Sequence, residues 1–204
     1  YYMPTTNEIC FPAAILQPPF YNPEADDAVN YGAIGVVIAH EMTHGFDDQG
    51  SQFDKMGNMN DWWTAEDRAA FEKKTQVLVD QFNAIEVLPG LNADGKFSLG
   101  ENIADQGGLR LAFTGLTDYA WAEGRPEDID GFTGEQRFYI GYATLWAQNI
   151  TDQEKERLTK VDVHSLGRNR VNATLRNIQS FYDAFGITEE DAMFMPVEER
   201  VIIW

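Results

Sequence analysis

The segment His40-Glu41-Met42-Thr43-His44 constrains the fold of this chain more than any other. Four residues advance an α-helix by just over one turn, so a helix places the two imidazoles on one face, where they can bind a single metal ion. In a strand the same two side chains would lie about 13 Å apart, which is too far for one ion. The preceding run Val36-Val37-Ile38-Ala39 is strand-like by propensity, but it also suits a helix that is buried on all sides. We therefore predict a helix over residues 26–46.

The glutamate that follows the first histidine gives this pattern a chemical function. Glu41 can reach a metal-bound water and act as a general base. Asp47 and Asp48 follow the second histidine, and either can orient a ligand imidazole. The alternative is that the two histidines are capping or core residues. The chain contains only three histidines, and two of them fall at this spacing, so we favour a metal site.

A catalytic zinc site usually has three protein ligands and one open position, so a third ligand is expected. Carboxylates are plentiful, and the remaining histidine is His164. The best candidates are Glu101 and Asp105, which share one face of a helix predicted over residues 99–121. One carboxylate can bind the metal while the other holds a ligand imidazole. Acids at this spacing are common on surfaces, but the residues around these two are small or apolar and favour an inward orientation with close helix packing: Ile103, Ala104, Gly107, Gly108 and Leu109.

The rest of the chain is predicted to be mainly helical. The proline-rich residues 1–24 exclude a long helix, and we predict a short strand near Ala13–Leu16. A tight turn is expected at Asp94-Gly95. Apolar periodicity and capping residues predict further helices over residues 62–86, 135–149, 152–160, 171–184 and 188–192.

The net charge of −18 excludes several classes of partner. Nucleic acids and anionic membranes attract basic surfaces, and this composition provides none. No apolar run is long enough to span a bilayer, and no signal peptide is visible. The single cysteine, Cys10, cannot form an internal disulfide. Because its neighbours Ile9 and Phe11 are apolar, we expect its thiol to be buried.

Several separate segments resemble the C-terminal catalytic part of the neprilysin and endothelin-converting-enzyme family of zinc metallopeptidases. They are FPAAILQPPFY (11–21), VVIAHEMTHGFDDQG (36–50), GENIADQGGL (100–109), VDVHSLGRNRVNATLRN (161–177) and the final residue Trp204. The resemblance covers essentially all of residues 1–204, as one catalytic domain. It implies an α+β, mainly α-helical fold, which is a thermolysin-like (gluzincin) domain with the metal-binding helix under a small β-sheet.

The resemblance also implies roles for individual residues. His40, His44 and Glu101 would bind one Zn²⁺ ion, with Glu41 as general base and proton shuttle. Asp105 would form a hydrogen bond with His40, and Asp47 would support His44. His164, oriented by Asp162, would stabilise the oxyanion, and Arg170 would bind a substrate carbonyl. An apolar pocket for the residue after the scissile bond would be lined by Ile15, Phe20, Val36, Val37, Leu145 and Trp146. The pocket residues are equally well interpreted as core.

The activity that the resemblance implies is zinc-dependent endopeptidase cleavage of oligopeptides on the amino side of hydrophobic residues. The alternative is a non-catalytic peptide-binding or scaffold fragment that retains the fold. A zinc aminopeptidase is disfavoured, because its third-ligand glutamate usually lies much closer to the second histidine.

The ends of the sequence lead to two further expectations. The chain begins at Tyr1-Tyr2 and lacks the large N-terminal helical portion of the family, so we expect a fragment. Its partners would be an oligopeptide substrate and that N-terminal portion. Animal members carry a cysteine where this chain has Val201, which predicts a bacterial member. Its location could be the periplasm, the cell surface or the cytoplasm.

Overall fold

A computed structural model describes residues 1–204 and consists mainly of helices. The α-helices are α1 (Asp27–Asn30), α2 (Val36–Thr43), α3 (Ala65–Asn83), α4 (Leu99–Thr114), α5 (Gly134–Leu145), α6 (Asp152–Val161), α7 (Gly167–Leu175) and α8 (Gln179–Phe185). The strands are β1 (Tyr2–Met3), β2 (Glu8–Ile9), β3 (Glu86–Leu88) and β4 (Leu91–Asn92). β1 pairs with β2 and β3 with β4, both antiparallel. The predicted α+β, mainly helical class is confirmed, and its strands form two separate two-stranded sheets.

The helix predicted over residues 26–46 is confirmed as a continuous helical segment. The Asp26 side chain accepts a hydrogen bond from the Ala28 backbone and begins α1. A π-helical turn, Tyr31–Gly35, joins α1 to α2, and a 3₁₀ turn, His44–Phe46, follows α2. The prediction of burial on all sides is wrong, because Ile38 and Met42 are exposed on the outer face of α2.

Two apolar clusters form the core, and α4 contributes to both. The larger cluster includes Val36 of α2, Leu109 of α4 and Phe138 of α5. The smaller one includes Phe82 of α3, Ile103 of α4 and the C-terminal residues Val201 and Ile203. α4 therefore lies at the centre of the molecule.

The packing of α2 against α4 is close because α4 carries glycines at the contact. A Cβ atom on Gly107 would lie 2.5 Å from Cγ2 of Thr43, and one on Gly108 would lie 2.9 Å from the carbonyl oxygen of Val36. Both distances are shorter than ordinary van der Waals contact. The predicted close packing of small residues is thus confirmed.

Four local predictions are confirmed in part or in full. The helix predicted over residues 62–86 is α3, which Thr64 caps by accepting from the Asp67 backbone. Residues 99–121 contain α4 followed by a π-helical segment, Gly115–Ala120. The helix predicted over 135–149 is α5, which ends earlier, at Leu145, and α6 matches the prediction for 152–160.

The strand predicted near Ala13–Leu16 is wrong, whereas a turn is confirmed at the predicted position, Asp94-Gly95. Residues Ala13–Ile15 form a 3₁₀ turn after Pro12, whose φ of −57° suits the start of a helical turn. The chain reverses between β3 and β4, where Gly90 has a φ of +76°. In the turn at Asp94-Gly95, the Asp94 side chain accepts hydrogen bonds from the backbone of Lys96 and Phe97, and the chain then enters α4.

Three further predictions need correction. Residues 171–184 form two helices, α7 and α8, rather than one. Residues 188–192 form a turn in which Asp191 accepts from the Thr188 backbone. Cys10 is exposed, because it follows the short β2 strand, whose residues are themselves exposed. No helix is long and apolar enough to cross a membrane.

Candidate metal centre

The two histidines of α2 meet as the helical spacing requires. His40 lies in the last turn of the helix and His44 immediately follows it. Their Nε2 atoms are 3.0 Å apart, and the two rings meet edge to face. His40 is buried, whereas His44 is partly exposed to the cavity. One ion can therefore contact both nitrogens.

α4 places a carboxylate opposite these two nitrogens. Oε2 of Glu101 lies 3.2 Å from Nε2 of His40, and Oε1 lies 3.6 Å from Nε2 of His44. His40, His44 and Glu101 form a group whose ligand atoms all lie within 4.8 Å of one another. The close approach of α4 at Gly107 and Gly108 brings the first turn of that helix to the metal-binding face of α2.

The spacing of the three side chains fits a tetrahedral metal ion. Ligands bound to zinc at about 2.0–2.1 Å in a tetrahedron lie roughly 3.3 Å from one another. The two Nε2 atoms are 3.0 Å apart, and they lie 3.2 Å and 3.6 Å from Oε2 and Oε1 of Glu101, respectively, all close to that value. Oε2 of Glu101 is also a buried oxygen that has no hydrogen-bond partner. A buried acceptor of this kind is expected where a cation binds.

Two aspartates hold the far sides of the imidazole rings. Nδ1 of His40 donates to Oδ1 of Asp105 at 2.8 Å, and Nδ1 of His44 donates to Oδ2 of Asp47 at 2.7 Å. A carboxylate can only accept, so each Nδ1 carries the proton and each Nε2 lone pair faces the site. Asp47 is itself fixed by the backbone N–H groups of Gln49 and Gly50. The structure thus has both of the contacts that the resemblance implied.

Asp48, the other candidate beside His44, makes no contact with a histidine. Its Oδ2 accepts from the side chain of Gln49, and its Oδ1 is buried beside Gly100 without a partner. Burial raises the pKa of this carboxyl group. Asp47 is therefore the aspartate that orients His44.

A buried arginine completes the network under His40. Arg170 of α7 donates from Nε and Nη2 to the two oxygens of Asp105, at 2.7 and 2.6 Å. Burial alone would raise the pKa of Asp105, but Arg170 and the hydrogen bond from His40 hold it well below its usual range. Burial lowers the pKa of His40, yet the neighbouring carboxylates of Asp105 and Glu101 outweigh this and raise it to about 9; a metal ion bound at Nε2 would take the place of that proton. The guanidinium of Arg170 also stacks on the ring of Trp146, 3.9 Å from its centroid.

Glu41 and His164 border the same cavity as the metal-binding group. The cavity has a volume of about 690 Å³. Nε2 of His164 lies 3.4 Å from Oε2 of Glu101. The carboxylate of Asp162 accepts from both the backbone N–H and Nδ1 of His164, as the resemblance implied. The Glu41 carboxylate lies 3.5 Å from the amino group of Tyr1.

The six residues predicted to line an apolar pocket do not border this cavity. Val36 belongs to the larger core cluster, and Trp146 packs against that cluster. The others are partly buried: Ile15, Phe20, Val37 and Leu145. Their role toward a substrate stays a prediction.

Sequence reasoning missed two features around the site. Asn102 and Ser165 form a partly buried hydrogen bond beside Glu101 and His164, and only their positions next to those residues could have drawn attention to them. A second cavity of about 920 Å³ lies on the other side of α2, where Met42 and Phe46 face Trp62 and Trp204. Its walls come from distant segments, which a local pattern cannot bring together.

Comparison with known proteins agrees with this fold. The model of Peptidase family M13 matches residues 1–201. The chain is 41% identical over 204 residues to the neutral endopeptidase of Lactococcus lactis subsp. lactis (strain IL1403). The matched region covers 100% of this chain and 31% of that protein. It is 41% identical over 187 residues to endothelin-converting enzyme 1 of Rattus norvegicus, covering 91% of this chain and 24% of that enzyme.

A solved structure agrees throughout the chain. The zinc metalloprotease Zmp1 of Mycobacterium tuberculosis, in complex with an inhibitor, superposes with a TM-score of 0.95 at 45% identity. The match covers 100% of this chain and 32% of that protein. The chain thus spans between about a quarter and a third of the length of these relatives, and both sequence and fold show that it belongs to Peptidase family M13.

Proposed function

We propose that this protein is a zinc-dependent endopeptidase that hydrolyses oligopeptides, with His40, His44 and Glu101 as the zinc ligands. The observation that carries the proposal is the convergence of their three ligand atoms within 4.8 Å. Membership of Peptidase family M13 supports it. The name of the M. tuberculosis relative, a zinc metalloprotease, supports the choice of metal.

Zinc bound at this site would act as a Lewis acid and lower the pKa of a bound water to about 7. Glu41 follows His40 on the same helix and borders the cavity. Its carboxylate would take a proton from the attacking water and return it to the leaving amine. Asp105 and Asp47 would keep the proton on Nδ1 of each ligand imidazole throughout.

His164 would stabilise the negative charge that develops on the substrate carbonyl oxygen. Its Nδ1 already donates to Asp162, so donation from Nε2 requires an imidazole that carries both protons. The Asp162 carboxylate compensates that charge. The half-exposed side chain of His164 leaves its Nε2 accessible from the cavity.

Arg170 would bind a substrate carbonyl group after the scissile bond. Its Nε and Nη2 are paired with Asp105, so Nη1 is the nitrogen with which it would reach a substrate. Asp105 and Trp146 would hold the guanidinium in place for this contact.

The preference for cleavage before hydrophobic residues also belongs to this proposal. The apolar pocket would be lined by Ile15, Phe20, Val36, Val37, Leu145 and Trp146. Val36 lies one helical turn before His40, and Trp146 lies against Arg170. The position of Val36 and the contact of Trp146 support a pocket next to the site of cleavage.

The proposed partners are an oligopeptide and the additional sequence that the relatives carry. Those relatives are about three times as long as this chain. The apolar cavity beside Met42, Phe46, Trp62 and Trp204 offers exposed surface on which further sequence could pack.

Metal analysis combined with Glu41→Gln tests the function directly. We expect one zinc per chain in both the wild type and the variant, because Glu41 is not a ligand. Peptide cleavage by the full-length gene product should fall by at least about 100-fold in Glu41→Gln.

Glu156→Gln is the matched control, since Glu156 contacts only Lys160 on the surface. Wild-type turnover in Glu41→Gln would refute the general-base role, and peptide binding without cleavage by the zinc-loaded wild type would favour the scaffold alternative.

A further inference from the structure

The loop that carries His164 has few apolar contacts to hold it. It joins α6 to α7 over residues 162–166. Val163 is exposed, and Leu166 is only partly buried. A small cavity of about 20 Å³ lies between this loop and the segment that precedes α4. Burial of apolar side chains therefore contributes little to fixing the position of the loop relative to the metal-binding group.

A chain of hydrogen bonds connects the loop to α4 instead. The hydroxyl of Ser165 donates to Oδ1 of Asn102 at 2.8 Å. Nδ2 of Asn102 donates to the hydroxyl of Ser98 at 3.0 Å, and that hydroxyl donates to the Asp94 carbonyl at 2.9 Å. Because Ser98 uses its proton on Asp94, it can only accept from Asn102, and this fixes the orientation of the amide.

The Asn102–Ser165 hydrogen bond joins the sequence neighbours of the two residues that must keep their distance, Glu101 and His164. Asn102 follows Glu101 on α4, and Ser165 follows His164 on the loop. Asn102 is 1% exposed, so water does not compete for its hydrogen bonds. A buried amide whose oxygen and nitrogen both make hydrogen bonds restricts geometry more than an exposed one does.

We infer that Asn102 and Ser165 are positioning residues that hold His164 at its distance from the metal-binding group. Asp162 orients the imidazole ring within the loop, whereas the Asn102–Ser165 bond fixes the loop itself against α4. The inference rests on the proposed function only for its effect on catalysis. The structural part applies whether or not the protein cleaves peptides.

Ser165→Ala tests the inference kinetically. Removing an oxyanion donor typically costs 10²–10³ in kcat, and a loosened donor should cost less, so we expect kcat to fall about tenfold. KM and zinc content should stay within about twofold of wild type, because the lost contact acts on the transition state. Ser165→Thr keeps the hydroxyl and should recover most of the activity. The matched control is Ser180→Ala, which removes a hydrogen bond to Tyr139 in another part of the protein and should leave kcat unchanged.

A second background separates positioning from a general loss of structure. In a His164→Ala protein, adding Ser165→Ala should change kcat less than twofold, since the group that Ser165 positions is already gone. An equal fall of kcat in both backgrounds would overturn the inference, as would a Ser165→Ala protein that behaves like Ser180→Ala.

A readout independent of activity completes the test. The chain has three histidines, so the imidazole resonances of the zinc-loaded protein in a ¹⁵N-histidine spectrum can be assigned by single variants. Ser165→Ala should shift or broaden the His164 resonances and leave those of His40 and His44 in place. Unchanged His164 resonances in Ser165→Ala would refute the positioning role, whether or not the protein cleaves peptides. Absence of peptide cleavage by the wild type would refute only the proposed function.

Discussion

At the level of single residues, the three histidines of this chain share one arrangement. Each donates from Nδ1 to an aspartate at 2.7–2.8 Å. Each directs Nε2 toward the Glu101 carboxylate, at 3.2–3.6 Å. Burial alone would raise the pKa of Glu101, but the histidines outweigh it and lower the pKa. The carboxylate is therefore ionised at neutral pH, which is the form that binds a metal.

Asp105→Asn should weaken both zinc binding and folding. The asparagine cannot carry the charge that pairs with Arg170, and its amide can turn its N–H₂ toward His40. We expect zinc affinity to fall about 10–100-fold and the free energy of unfolding to fall by about 3 kcal/mol, as when one partner of a buried ion pair is removed. Competition with a chromophoric chelator and denaturant unfolding measure the two effects.

Asp47→Asn separates these effects, because Asp47 holds His44 but contacts no arginine. Its zinc affinity should fall by a similar factor with a smaller loss of stability. Equal losses of stability in the two variants would contradict the assignment of the Arg170 pair as the structural part of the network.

Tyr139 should make folding sensitive to alkaline pH. Burial raises the pKa of its phenol well above the usual value of 10. The raised pKa means that this contribution to stability is complete below pH 10 and is lost as the pH rises beyond it. Tyr139→Phe should therefore show a smaller loss of unfolding free energy between pH 9 and 11 than wild type. The exposed Tyr119 provides the control, and a pH dependence that responds equally to Tyr119→Phe would contradict the prediction.

At the level of elements, the contact between α2 and α4 sets the geometry of the metal centre. Gly108→Ala would place a methyl group 2.9–3.1 Å from the backbone of Val36 and His40. The two helices must then move apart by a few tenths of an ångström, and Glu101 moves relative to His40 and His44. We expect the zinc affinity to fall about tenfold or more and the free energy of unfolding to fall by about 1–3 kcal/mol.

The matched control for this change is Gly115→Ala. Gly108 lies within α4 and Gly115 immediately follows that helix. A methyl group added to Gly115 would meet only the ring of Tyr31, at 3.4 Å. Zinc affinity should stay at the wild-type value in this variant. If Gly108→Ala binds zinc as tightly as Gly115→Ala, the helix contact does not determine the ligand geometry.

Local patterns predicted those elements whose structure depends on local interactions. Two candidate capping residues, Asp61 and Thr64, and the apolar spacing after them predicted α3, and the structure has Thr64 as the cap. The division of residues 171–184 was not predictable in this way. The break between α7 and α8 contains Asn177, whose side chain bonds to Gln81 and to the Val201 backbone, and such distant partners leave no signal in a local window.

The candidate site was predictable from sequence to the extent that its residues occupy helical spacings. The spacing of four brought His40 to His44, and the same spacing paired Glu101 with Asp105. The choice of Glu101 as ligand and the pairing of His164 with Asp162 came from the family resemblance. The buried state of Arg170 and the Asn102–Ser165 bond depend on how α4 and α7 pack, which neither source describes.

At the level of the whole molecule, the C-terminal segment is attached to the helix that carries Glu101. The Gln106 side chain donates to the Val201 carbonyl and accepts from the Ile203 backbone. Val201 and Ile203 also belong to the smaller apolar cluster. The segment thus closes the core between α3 and α4, so the folding of the chain end and the placement of α4 should be coupled.

Gln106→Ala tests this coupling, because it leaves the Val201 carbonyl and the Ile203 N–H buried without partners. We expect the free energy of unfolding to fall by roughly 2–4 kcal/mol, measured by denaturant titration, with one zinc still bound per chain. Gln76→Ala is the control, since Gln76 bonds only to Asp80 on the surface, and it should change the free energy of unfolding by less than about 0.5 kcal/mol.

Deleting residues 201–204 should destabilise the protein as well. Adding Gln106→Ala to that deletion should then reduce the free energy of unfolding little further, because the partners of the amide are gone. Full additivity of the two changes would show that Gln106 stabilises α4 independently of the chain end.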